Sequence, residues 1–275
     1  MAAAKQKANE AANHEYADKL YRIGYIGKGL VYLIIGYFAF QLAIGSGGDN
    51  LGSKGAIAQV SQLPAGSILL GLLALCLAGY SLWKFVQSLI DVENKGTDAK
   101  AIIARISFFI SGIIHSSLAI FAGSLALGQG TSSGGSSKTS LVARALELPG
   151  GRIIVMIVAL VILAVAIRQL QRSYKKSFMD DYKKNEMSQT EINLAKQSGI
   201  WGLAARGVVF IAVAASIAIA AWQVDPSEAS GTKGALALIM QQNFGAYILA
   251  AVALGLIIYS FYCLFRARYR SFART

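Results

Sequence analysis

Charge is scarce in this 275-residue chain, at 15% of residues against 55% hydrophobic, and negative charge is scarcest, with 14 carboxylates to 26 lysines and arginines. All 14 carboxylates lie outside the long apolar runs described below. Intramembrane Asp and Glu are the usual proton relays and cation sites of pumps and coupled transporters, so a conventional proton-coupled carrier is not expected. The chain has only two cysteines, Cys76 and Cys263, both inside apolar runs where a thiol behaves as a small hydrophobe. Neither a disulfide framework nor a Cys-rich metal site is indicated. Of the two histidines, His14 lies in the N-terminal tail and only His115 in an apolar run, so bis-His haem ligation and any metal-ligand spacing are missing. HExxH, GxSxG, Walker and Rossmann patterns are also missing. No catalytic residue, metal site or cofactor is expected, and the chain reads as a non-enzyme.

What is present is apolar sequence without charge. No Asp, Glu, Lys or Arg falls between Lys28 and Asp49, Lys54 and Lys84, Arg105 and Lys138, Arg206 and Asp225, or Lys233 and Arg266. Each interval holds one helix of the roughly 20 residues that a bilayer core requires. A further candidate is short: Arg152 and Arg168 bracket Ile153 to Ile167, about 22 Å of helix at 1.5 Å per residue. It crosses only if both arginines snorkel; a re-entrant segment, with five spans in all, is the competing reading. The N-terminal stretch carries charge throughout and has no apolar core before Tyr21, so it does not read as a cleavable signal peptide.

The basic residues are unevenly distributed. The tails and loops on one side carry 21 of the 26, counting Lys28, Lys84, Arg206 and Arg266 among them, while the opposite loops carry Lys54, Lys138, Arg144, Arg152 and Lys233. By the positive-inside rule both termini are cytoplasmic, and that parity requires an even number of spans, hence six. Anionic lipid headgroups account for such an excess, and nucleic acid is not an expected partner. Tyr21, Tyr25, Trp83, Trp201, Trp222, Tyr262 and Tyr269 read as an aromatic belt at headgroup depth. The stretch Tyr174 to Lys184 is assigned to the same depth, and Ser188 with Glu191 forms a capping-box pattern that starts a helix near Gln189.

The chain repeats itself three times. YRIGYIGKGLVYLIIG, ARISFFISGIIHSSLA and GIWGLAARGVVFIAVA align without gaps on Gly29, Gly112 and Gly207. Downstream stand Ser53-Lys54, Ser137-Lys138 and Thr232-Lys233, and 12 residues beyond each lysine a glycine, Gly66, Gly150 or Gly245, opens the second helix of the unit. The segments between read as short interfacial helices on the outer face, with Ser53, Ser137 and Thr232 as N-caps and Pro64 and Pro149 as breaks. The expected fold is all-α and integral to the membrane: six transmembrane helices as three tandem hairpins in a pseudo-threefold bundle. Its divisions are a tail 1–20, repeats at 21–90, 101–171 and 199–266, a basic linker 172–198 and a basic tail 267–275.

These units resemble the bacterial family of unknown function DUF1206, whose repeat is similar to R-x-G-[YF]-x-x-[KR]-G-[VL]-V-Y-L-x-x-G, then a G-A pair, then P-x-G. Arg22, Gly24, Tyr25, Lys28, Gly29, Tyr32 and Gly36, with Gly55-Ala56, Pro64 and Gly66, match it. In the later copies Ser107 and Ser111 replace the glycine and lysine, and His115 and Phe210 replace the tyrosine. The resemblance implies a threefold six-helix protein of a bacterial inner membrane and supplies no catalytic residues.

Two groups stand out as candidate sites. Lys54, Lys138 and Lys233 each follow a hydroxyl at a helix start on the outer face, where an anion or lipid headgroup would offset their charge. Ser107, Ser111 and His115 recur every fourth residue and share one face of the third span, continued by Leu118 and Ala122. That face lines a polar site or packs against its neighbours. Gly71, Ala74, Ala78 and Gly79 on the second span read as close helix packing. Two functional readings follow: a structural or accessory protein whose partners are membrane lipids and other membrane subunits, or a passive channel or carrier for an anion or small solute through the pseudo-threefold centre.

Overall fold

A computed structural model describes residues 2–46, 53–89, 98–129, 137–225 and 231–270. Among them are α1 (Ala2–Ala43), α2 (Ser53–Val60), α3 (Gly66–Leu89), α4 (Ala99–Ala126), α5 (Ser137–Glu147), α6 (Gly151–Lys175), α7 (Gln189–Gln223), α8 (Gly231–Met240) and α9 (Gly245–Tyr269). Two short 3-10 turns, Ser177–Asp181 and Lys184–Glu186, separate α6 from α7. Six helices are long and apolar enough to cross a membrane: α1 from Asp18, α3, α4, α6, α7 and α9. The short candidate is a full span, since α6 extends through both of its arginines over 25 residues, and Arg152 rests 5.0 Å from the Trp222 ring centroid.

Local chemistry sets several boundaries. Ser188 and Glu191 form the reciprocal capping box, and α7 starts at Gln189 as expected. Asp98 caps α4 by accepting from the Ala101 amide, and Arg105 donates to the Ser88 and Leu89 carbonyls at the end of α3. The expected N-caps fall inside their helices instead of before them: Ser53 and Ser137 are the first residues of α2 and α5, and Thr232 is the second of α8. Each returning span begins at a glycine preceded by a left-handed residue: Ala65, Gly150 and Phe244 have φ of 59°, 75° and 59°. A Cβ on Gly66, Gly151 or Gly245 would collide with the carbonyl of Val60, Ala145 or Met240, respectively. The counterpart of Gly66 and Gly245 is therefore Gly151, not Gly150, and the spacing from the lysine is one residue longer in the second repeat.

With that register the repeats pack cyclically. The first helix of each hairpin lies against the second helix of the preceding one: α4 on α3, α7 on α6, and α1 on α9. The contacts use matched positions. Gly29 approaches the Ser260 carbonyl, Gly207 the Ala166 carbonyl, and the Gly112 carbonyl accepts from the Ser81 hydroxyl at 2.8 Å. Within hairpins the symmetry breaks. Helices α1 and α3 pack together, as do α7 and α9, but among the described residues α4 and α6 make no comparable contact.

Sequence explains the break. In the first repeat Gly24 crosses the backbone of Tyr80 and Gly27 meets Cys76; in the third, Gly202 crosses Tyr259 and Ala205 meets Gly255. The matching pairs in the second repeat are Ser107 with Val165 and Ile110 with Val161. Small residues let membrane helices approach closely, and branched ones hold them apart. Ile110 and Val161 are accordingly about half exposed. The ring runs α6, α7, α9, α1, α3, α4 and stays open between its ends.

The half of the bundle nearer α2 and α8, its outer half if the termini are cytoplasmic, is filled with apolar side chains. Val31, Ile35, Leu73, Leu77, Leu118, Val209, Leu249, Val252 and Leu256 fill it from five helices. Helices α2 and α8 are not purely interfacial, because Ile57 and Leu236 are driven into this core. Of the four small residues on α3, Ala74 and Ala78 pack against it and Gly79 touches Ile23, but a side chain at Gly71 would meet nothing; that glycine is not a packing contact.

Candidate site: a cation and tyrosine cluster in the inner half

The two groups singled out in the sequence are only partly described. Lys54 is half-buried with its ammonium 5.4 Å from the Phe121 ring centroid, while the side chains of Lys138 and Lys233 lie outside the described residues, as does the convergence of the three. On α4, Ser107 donates to its own helix at Ile103, and His115 Nδ1 donates to the Ser111 carbonyl at 2.7 Å. The His115 ring packs on Tyr80 at 4.4 Å. Leu118 and Ala122 are buried, so this face turns inward in the outer half and borders the opening in the inner half.

A different set of residues forms the most unusual feature of the molecule. Lys28 stands ten residues into the span Asp18–Ala43, about 15 Å along the helix, and is buried inside the bundle. Gly24, Gly27 and Gly29 bring α1 against α3 and α9 on either side of it. The Lys28 ammonium is enclosed by the rings of Tyr25, Tyr80 and Tyr259 at 5.3, 5.2 and 5.6 Å, and it donates to the Tyr80 hydroxyl at 3.2 Å. Each of these rings is shared with a second cation. Lys84 lies 5.4 Å from Tyr80, Arg206 lies 5.3 Å from Tyr259, and Arg266 lies 5.5 Å from Tyr25. Arg206 occupies the place in the third repeat that Lys28 occupies in the first, and Ser111 occupies it in the second. Its guanidinium donates to the Tyr32 hydroxyl at 2.8 Å and to Gln169 Oε1 at 2.7 Å.

Below this cluster the linker between α6 and α7 folds into the mouth of the bundle. Phe178 is fully buried against Gly199, and Met179 and Tyr182 are buried beside it. The stretch assigned to headgroup depth therefore contributes to the core, and only side chains such as Tyr174 face outward. Asp181 accepts from both Arg172 and Arg266 at 2.8 Å, joining α6 to α9. Burial acts to raise the Asp181 pKa, but the charge and hydrogen bond of Arg266 and the charge of Arg172 outweigh it and hold the carboxyl down at about 2. Burial also pushes the Tyr182 phenol well above its ordinary value.

Sequence position alone places Lys28, Lys84, Arg206 and Arg266 among the loop charges, yet three of the seven belt aromatics, Tyr21, Tyr25 and Tyr262, contact Lys28 or Arg266. Tyr21, Tyr25, Trp83 and Tyr262 are buried inside the bundle, as is Tyr269 near its end, while Trp201 and Trp222 are exposed as a belt requires. The readable signal is the glycine on each side of Lys28: a lysine flanked by Gly27 and Gly29 sits on a helix surface built for contact. Chemically the cluster offers hydrogen-bond donors and positive charge, and no group of metal ligands occurs among the described residues.

The family model described as Domain of Unknown Function (DUF1206) matches this chain three times, over residues 23–91, 106–176 and 201–270, one match to each hairpin. An uncharacterized protein, YxxB of Bacillus subtilis (strain 168), is 32% identical over 249 residues, covering 90% of each chain. No solved structure matches. With three tandem matches on three hairpins and a relative similar over nearly its whole length, the chain belongs to the DUF1206 family.

Proposed function

We propose that this protein is a non-enzymatic accessory component of a bacterial inner membrane, with cytoplasmic termini, packing with lipid and with the subunits of a membrane complex. The observation that carries the reading is the apolar outer half, where Ile35, Leu73, Leu118, Val252 and their neighbours occupy the centre. A passive pathway needs polar groups along its length. The cations of the inner half favour the second reading, an anion pathway, and the apolar outer half opposes it. Purification in mild detergent with cross-linking and mass spectrometry tests the proposal: a recurrent membrane-protein partner is expected. Protein-dependent anion or glycerol flux in reconstituted vesicles would contradict it. A cysteine at position 7 should be inaccessible to an impermeant reagent in intact cells, and labelling there would reverse the orientation.

A further inference from the structure

Two members of the cation cluster, Lys28 and Arg206, lack a carboxylate partner among the described residues, whereas Arg266 is paired with Asp181. The partners of Lys28 and Arg206 are the phenols and one amide named above. The rings solvate each cation separately, but they leave the summed charge in place. Like charges repel strongly where water is excluded, so Lys28 and Arg206, linked through the shared Tyr259 ring, call for a counter-anion. Donors remain available for one. The printed bonds of Arg206 use Nε and one terminal nitrogen, leaving its second terminal nitrogen uncommitted. Gln169 is 6% exposed, and its Nε2 is buried without a hydrogen-bond partner. A buried amide that donates to nothing is costly and marks a site where something else accepts.

We propose that Lys28, Arg206 and Gln169 bind a phosphate-type oxyanion inside the bundle. Guanidinium and ammonium groups are the usual ligands of such anions. The break in the ring adds a route to them. Gln169 lies on α6 and Ser111 on α4, the two helices that border the opening, and their exposed residues there, Ile110 and Val161 among them, are apolar. A phosphate esterified to a lipid fits this arrangement, with its head among the cations and its chains in the opening. The inference does not depend on whether the protein serves as an accessory component.

The test is thermal unfolding of the purified, delipidated full-length protein at constant ionic strength, with phosphatidylglycerol, phosphatidylcholine or inorganic phosphate added. The site predicts a raised midpoint with phosphatidylglycerol over phosphatidylcholine if the source is a lipid, or with inorganic phosphate if it is free. Lys28→Gln with Arg206→Gln should weaken that binding at least about tenfold, as loss of charge-assisted hydrogen bonds requires. Gln169→Glu gives a reading independent of any folding defect in that pair. It supplies an internal anion beside Arg206, so the unliganded midpoint should rise and the response to added anion should vanish. Lys175→Gln with Lys176→Gln, exposed at the end of α6, should leave the response intact. Equal midpoints with all three additives, or a full response retained by Gln169→Glu, would overturn the proposal.

Discussion

The first and third repeats close their hairpins and the second does not, although all three have the same turn glycine and the same contact with the preceding repeat. The difference lies in two crossing points. Gly24 on Tyr80 and Gly27 on Cys76, or Gly202 on Tyr259 and Ala205 on Gly255, set the backbones in contact, whereas Ser107 and Ile110 face Val165 and Val161. The outer helices follow the same division. Helices α2 and α8 bury Ile57 and Leu236 in the core, while among the described residues α5 packs mainly against its own α6. Divergence in the second copy thus alters one face of the ring and leaves the cyclic contacts intact, and the altered face lies beside the two cations of the other copies.

The largest effect should come from forcing the closed repeats to resemble the open one. Gly202→Leu drives a side chain into the Tyr259 backbone, where even a Cβ has no room, and should destabilise the protein by more than about 3 kcal/mol. Ser107→Leu, at the matching position of α4, should cost less than about 1 kcal/mol. Unfolding midpoints in one detergent compare the two, and equal losses would remove the distinction between repeats.

Next in size is the clasp that ties the outlying α6 to the ring. Asp181→Asn leaves Arg266, which is 4% exposed, without its carboxylate, and breaking such a pair costs about 3 kcal/mol. The Asp181 pKa of about 2 lies below the ordinary carboxylate value. Its contribution is therefore complete above about pH 5 and is lost as the pH falls from about 4 towards 2. Acid titration of stability should show this loss in the wild type, and Asp181→Asn should lack that component. A smaller effect is expected where the same linker enters the third repeat: Ser188→Ala removes the capping box and should cost about 1 kcal/mol by the same unfolding assay. The smallest change is Gly71→Ala. Its Cβ meets nothing, so relief of helix entropy should stabilise by about 0.5 kcal/mol or leave the midpoint unchanged.

Much of this architecture was readable from the chain. Charge-free runs, parity of the basic loops and the threefold glycine register specify six spans and three hairpins, because each is a direct consequence of the bilayer as solvent. The Ser188 and Glu191 cap was readable because capping is local. The cluster was not, since counting Lys28, Lys84, Arg206 and Arg266 as loop charges ignores how far each lies inside a helix and which rings other repeats bring to it. Tyr80 meets Lys28 within the first hairpin, but Tyr259 reaches it only after the third hairpin returns to the first. The substitution of Ser107 and Ser111 was visible as divergence, but its meaning depends on Val161 and Val165, which become partners only once Gly151 replaces Gly150 in the register.

The central claim is that the ring is open between α4 and α6 and closed elsewhere. Oxidative cross-linking in native membranes tests it most directly, using cysteine pairs in a background without Cys76 and Cys263. Ser81→Cys with Ser116→Cys joins α3 to α4, where the two hydroxyl oxygens lie 2.5 Å apart, and should cross-link readily. Ile110→Cys with Val161→Cys occupies the crossing point that is closed in the other two repeats, and should remain uncrosslinked. Efficient cross-linking of that second pair would show the second hairpin closed like the others and would contradict the account.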